Sequence, residues 1–98
     1  MIVRFTSDAE DDLEAIGDYI ARDNPMRAVG FLRELKACCL ELVSLPHAWP
    51  LVTRYASKGI RRRIYGDYVV FYHPGPAALT ILRVLHGARD YAEIILDQ

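Results

Sequence analysis

The chain has 98 residues, 52% hydrophobic and 26% charged, with a net charge of −1. That composition excludes disorder, supplies enough apolar content for one core without disulfide or metal staples, and gives no bulk attraction for a polyanion. No apolar run approaches the roughly 20 residues that span a bilayer, and acidic residues begin at Asp8 with no apolar signal segment before them. A single cytoplasmic domain covering residues 1–98 is therefore expected, with no membrane association.

In chain order, Met1 to Phe5 reads as a short apolar strand broken only by Arg4. Ser7 with Glu10 three residues on reads as a capping box, and the acids of the first turn suit the positive end of a helix dipole. Ala9, Leu13, Ile16 and Ile20 recur at helical spacing, so the first helix should bury one face and expose its acids. Asn24-Pro25 ends that helix and starts a second, asparagine as cap and proline at the first helical position. The second helix carries the stripe Ala28, Leu32, Leu35, Cys39 and Leu42, widened by Val29, Phe31, Cys38 and Leu45. A connection this short predicts antiparallel packing of the two helices.

Pro46 to Ser57 has two prolines and no period and is expected to be a loop, with Trp49 and Leu51 as its anchors to the core. Three strands follow. Gly59 to Tyr65 and Tyr68 to Tyr72 are joined by Gly66-Asp67, and His73-Pro74-Gly75-Pro76 turns the chain into a third that ends near His86-Gly87. Asp90 is placed to cap a final helical turn through Leu96. The expected fold is α+β, in the order β-α-α-β-β-β-α, a small antiparallel-rich sheet packed against an N-terminal helical hairpin.

Charge is distributed unevenly. Asp8, Glu10, Asp11, Asp12, Glu14, Asp18 and Asp23 load the first helix, whereas Arg54, Lys58, Arg61, Arg62 and Arg63 follow one another with no acid between them. The molecule should be dipolar, with a basic hairpin facing a negative partner. Strand alternation puts Ile60, Arg62 and Ile64 on one face and Arg61, Arg63 and Tyr65 on the other. If the isoleucines face the helices, Arg61 and Arg63 are left free for a partner. Arg83, inside an apolar strand, needs an acceptor or a route to the surface. Tyr65, Tyr68, Phe71 and Tyr72 fit half-buried strand packing better than base stacking.

Cys38 and Cys39 are helix neighbours whose side chains diverge by about 100°, which argues against a disulfide between them. No ligand set stands at metal-site spacing, and Asp8, Asp11 and Asp12 are explained by the helix dipole, so neither metal nor cofactor is expected.

The order and spacing of SDAEDDLEAIGDYIARDNPMRA (7–28), LVSLPHAWP (42–50), GIRRRIYGDYVVFY (59–72) and above all ILRVLHGARDY (81–91) resemble the ParE branch of the ParE/RelE toxin family. One departure is the segment after Pro46, which lacks the glycine common there. The resemblance implies the toxin of a type II toxin–antitoxin module, inhibiting DNA gyrase by direct binding rather than as an enzyme. It also implies neutralisation by a ParD-like antitoxin in a hetero-oligomeric complex, with no sequence-specific contact to nucleic acid. On this reading Arg61, Arg63, Arg83 and Tyr65 are the expected contacts with antitoxin or target, and the antitoxin lays a helix in a groove lined partly by the helical hairpin. The alternative is a RelE-like, ribosome-dependent mRNA endonuclease. Its metal-free chemistry would draw on Arg61, Arg83, His86 and Tyr91, a cation for the phosphorane and an acid–base pair for 2′-hydroxyl attack.

Overall fold

The computed structural model describes residues 1–87. The elements are β1 (Ile2–Phe5), α1 (Ser7–Ala21), α2 (Pro25–Glu41), a 3₁₀ segment (Thr53–Lys58), β2 (Arg61–Tyr65), β3 (Tyr68–Pro74) and β4 (Ala78–His86). The expected final helical turn, with Asp90 and Tyr91, lies outside the described residues.

Where β1 ends is decided by β4. The Thr6 N–H donates to the Ile81 carbonyl at 3.1 Å, and the Thr6 hydroxyl donates to the Leu82 carbonyl at 2.8 Å. These bonds hold Thr6 extended (φ −67°, ψ 161°), and its Oγ1 accepts from the Ala9 N–H at 3.0 Å. Thr6, not Ser7, is thus the N-cap, and Ser7 is the first helical residue. Asn24 caps α2 as expected, its Oδ1 accepting from the Arg27 N–H at 3.0 Å with Pro25 in the first turn.

The helical hairpin buries the predicted stripe. Ala9, Leu13 and Ile16 of α1 are buried, as are Ala28, Phe31, Leu35, Cys38 and Cys39 of α2 and Leu42 just past it. Gly17 lets the helices approach: a Cβ there would lie 2.7 Å from Leu32 Cδ1. Val29 and Leu45, expected in the stripe, are 58% and 63% exposed. Val29 sits about 120° around the helix from Leu35, and Leu45 falls beyond the helix end.

The sheet has the order β1-β4-β3-β2, β1 pairing parallel with β4 and the other neighbours antiparallel. Alternation along its strands serves two cores. Val70, Tyr72, Leu79, Ile81 and Val84 pack with the helical hairpin, while Val69, Phe71 and Leu85 pack with Val52, Tyr55 and Ile60. The second core makes the region after Pro46 more than a loop. Val52 (4% exposed) and Tyr55 (2%) anchor it, whereas Leu51 stays 39% exposed and Trp49 only partly packs against the helix-side core. Gly66, with φ +59°, and Asp67 form the two-residue β2–β3 turn; positive φ at the first central position alone is the type II′ pattern.

Candidate functional site

β2 is an edge strand, and its three arginines are distributed by alternation. Arg61 pairs with Tyr72, Arg63 with Val70 and Tyr65 with Tyr68, so this set shares the helix-side face. Ile60 is buried in the second core and Ile64 is 65% exposed. The conditional reading that turned the isoleucines toward the helices is reversed, because Val52 and Tyr55 give Ile60 a separate apolar environment.

Arg61 and Arg63 are consequently not free. Arg61 Nη1 donates to the Trp49 carbonyl at 2.7 Å and to the His47 carbonyl at 3.2 Å, tying the α2–β2 connection to the sheet. Arg63 Nη1 donates to the Cys38 carbonyl at 3.0 Å and Nη2 to Glu41 at 3.1 Å. Leu42 N–H bonds back to Cys39 rather than Cys38. The Cys38 carbonyl in the last turn of α2 therefore takes a guanidinium donor, at the helix end that favours a cation. The Arg63 guanidinium also lies 4.5 Å from the Trp49 ring centroid. Tyr65 donates its hydroxyl to Glu34 at 3.0 Å, and Glu34 also pairs with Arg27. The Arg27 bond, then that of Tyr65, holds the Glu34 carboxyl below the usual carboxylate value, and accepting that hydrogen bond makes Glu34 push the Tyr65 hydroxyl upward.

Arg83 finds its acceptor in Asp12 of α1. Nε and Nη2 each lie 2.7 Å from a carboxylate oxygen, and Asp12 Oδ2 also accepts from the Val84 N–H at 3.0 Å. β1 stops at Phe5 opposite Ile81, so this carboxylate continues for Val84 the pairing that β1 no longer supplies. The hydrogen bond to Asp12 raises the already high Arg83 value further. Asp12 is thus a tertiary partner and not merely a helix-dipole acid, a role that sequence reasoning missed.

His86, exposed at the end of β4, forms a T-shaped ring pair with Tyr68, centroids 5.5 Å apart. Both border an open cavity of about 430 Å³ that also touches Arg62, Ile64 and Val69. Arg61 and Arg83 stand on strands separated by β3, about 10 Å apart, one turned to the connection and the other to α1. The structure therefore does not bring these members of the endonuclease set together; Tyr91 lies outside the described residues.

Both cysteines are buried thiols. Burial pushes Cys39 up to about 12, and Cys38 upward as well. Among the described residues no group of three His, Cys, Asp or Glu side chains is placed to hold a metal, and no helix is long and apolar enough to cross a membrane.

A four-stranded mixed sheet carrying a helical hairpin on one face, with a cation-rich edge strand, defines a small α+β scaffold. Residues 3–91 match the model of the ParE toxin of the type II toxin–antitoxin system parDE, and the chain belongs to that family. Among solved structures, a chain of the chromosomal ParDE toxin–antitoxin system of P. aeruginosa superposes with a TM-score of 0.69 at 19% identity, covering 88% of this chain and 95% of that one. At that identity the likeness establishes the fold. No curated protein matches the sequence.

Proposed function

We propose that this ParE toxin acts in the cytoplasm by docking on DNA gyrase, and that a ParD-like antitoxin neutralises it by covering the same molecule. Family membership supports the class, and the ParDE system of the structural relative supports the kind of antitoxin. Action by protein contact rather than by phosphodiester cleavage is favoured by one observation above others. Arg61, Arg63 and Arg83 already spend donors on carbonyls and carboxylates of their own chain. A cation that must meet a phosphorane has to be aimed at it before the reaction begins, and these point at structural acceptors. Arg61 and Arg63 then contribute to a partner surface through their remaining N–H groups, Tyr65 through the acceptor lone pairs of its hydroxyl oxygen, and Arg83 by holding β4 in place.

The test is a supercoiling assay with purified gyrase and the full chain, read for loss of supercoiled product and accumulation of cleaved DNA. Inhibition relieved by a co-expressed ParD-like partner is the expected result. Intact supercoiling together with ribosome-dependent mRNA cleavage, abolished by His86→Ala, overturns the proposal.

A further inference from the structure

The two edges of the sheet are not equally protected. Along β2 the Val52 N–H donates to the Ile60 carbonyl at 2.9 Å and the Arg62 N–H to the Pro50 carbonyl at 3.1 Å, so the α2–β2 connection covers that edge opposite Arg61 and Arg62. β1 ends the sheet on the other side and pairs only with β4. The bond from the Thr6 N–H to the Ile81 carbonyl fixes which backbone groups of β1 look inward. These groups alternate sides along a strand, so those of Ile2 and Arg4 face β4 and those of Val3 and Phe5 face out. Among the described residues the N–H and C=O groups of Val3 and Phe5 have no partner. Side chains alternate as well. Val3 and Phe5 pack against the helix-side core, and Met1, 53% exposed, continues their row, whereas Ile2, 63% exposed, lies with Arg4 on the opposite face. Beside Phe5 opens a cavity of about 420 Å³, lined in part by Leu13 and Leu32.

We propose that β1 pairs antiparallel with β1 of a second copy about a two-fold axis at Val3, joining the two sheets edge to edge. In that register the two Val3 residues exchange main-chain bonds, and each Phe5 N–H meets the carbonyl of the partner's Met1. An axis at Arg4 would also pair the outward groups, Val3 with Phe5. It would, however, set the two Arg4 side chains directly opposite each other, a destabilising pair of like charges. It would also run the partner's Met1 alongside Ser7, where α1 begins. With the axis at Val3, Arg4 instead lies opposite the partner's Ile2, and its aliphatic stem covers an apolar side chain otherwise left in water. On the helix side the partner's Met1 falls opposite Phe5, Cα atoms about 5.5 Å apart, next to the cavity. Each copy thus brings an apolar side chain to the other's cavity, and this reciprocity selects a second copy as the occupant.

The joined sheet carries β2 of each copy at its outer ends, so the pairing leaves the surface of Arg61, Arg63 and Tyr65 open and stands or falls apart from any contact with gyrase. A contact limited to residues 1–5 and one cavity per copy falls short of the about 800 Å² per partner of a standard interface. The dimer should therefore be weak, with a Kd between about 10 μM and 1 mM. The untagged full chain, isotopically labelled, is followed across that range by sedimentation and amide NMR. Expected are a mass rising toward that of a dimer, and amide shifts and exchange protection that grow with concentration at Val3 and Phe5. Val3→Pro removes the outward N–H where an edge strand tolerates proline and should weaken association about tenfold. Ile2→Lys sets like charges opposite Arg4 and should weaken it about fivefold, and adding Arg4→Glu should restore it by making the pair opposite in sign. If Val3→Pro loses its native circular dichroism, this charge swap decides the matter. A chain still monomeric at about 1 mM, shifts centred on α2 or β2, or an Ile2→Lys variant that either associates normally or is not rescued by Arg4→Glu overturns the inference. So does protection of Val3 and Phe5 that arises only with a co-expressed ParD-like partner, which would give this edge to the antitoxin.

Discussion

Replacing Asp12 by alanine should be among the most damaging single changes open to this chain. Its carboxylate accepts from Arg83 Nε and Nη2, both at 2.7 Å, and from the Val84 N–H at 3.0 Å, with side-chain exposures of 11% for Asp12 and 17% for Arg83. Removing one partner of a buried pair costs about 3–5 kcal/mol, chiefly because the other charge is stranded. Residual solvent access of Arg83 brings that toward about 2 kcal/mol, and the orphaned Val84 N–H adds about 1 kcal/mol. A total of about 3 kcal/mol corresponds to a fall in Tm of about 12–24 °C in a domain of this size. Urea denaturation of Asp12→Ala, Arg83→Met and the double variant measures it. The double variant should lose about 1.5–3 kcal/mol less than the sum of the two single losses, because it strands no charge. A loss below about 0.5 kcal/mol in Asp12→Ala, within the range of an ordinary surface change, would refute the reasoning.

Arg63→Ala should lower stability by about 1–2 kcal/mol through loss of the Cys38 and Glu41 bonds and the contact with Trp49, with a shift in Trp49 fluorescence; an unchanged emission spectrum would contradict the stacking. Glu34 should titrate below its ordinary 4.5, because Arg27 and Tyr65 favour its charged form. A depressed folded-state value means that its contribution is present above 4.5 and is lost as pH falls through the lower folded value; a side-chain NMR midpoint at or above 4.5 would count against it. With Cys39 pushed up to about 12 and Cys38 also raised, neither thiol should react appreciably with iodoacetamide in the native protein at neutral pH. Unfolding in urea should expose both, and rapid native alkylation would contradict the burial.

Local pattern was enough to locate the elements. The stripe Ala9, Leu13 and Ile16, the Asn24-Pro25 cap and the Gly66-Asp67 turn each state their structure within a few residues, and the helical hairpin and three consecutive strands follow. What the sequence left open depends on partners far along the chain. Thr6 displaces Ser7 as cap because Ile81 and Leu82 hold it extended. Alternation divides Ile60 to Tyr65 into two sets, but which set meets the helices was settled by Val52 and Tyr55, in a stretch with no period to reveal a second core. Asp12 is one of many acids on α1, and only the fold singles it out for Arg83. Pro50 is readable as a breaker, whereas the bond that its carbonyl accepts from the Arg62 N–H requires the β2 register.

The parallel pairing of β1 with β4 joins Ile2 to Ala78 and Phe5 to Ile81. Antiparallel hairpins can close as soon as both arms exist, but this ladder, together with Thr6 on Leu82 and Asp12 on Val84, waits until β4 has left the ribosome. A nascent or prematurely terminated chain lacks the strand on which the opening residues zip, and with it the surface a target would meet. The opening residues are thus made first but find their partners only once β4 arrives, so the order of synthesis and the order of folding run opposite ways along this sheet edge.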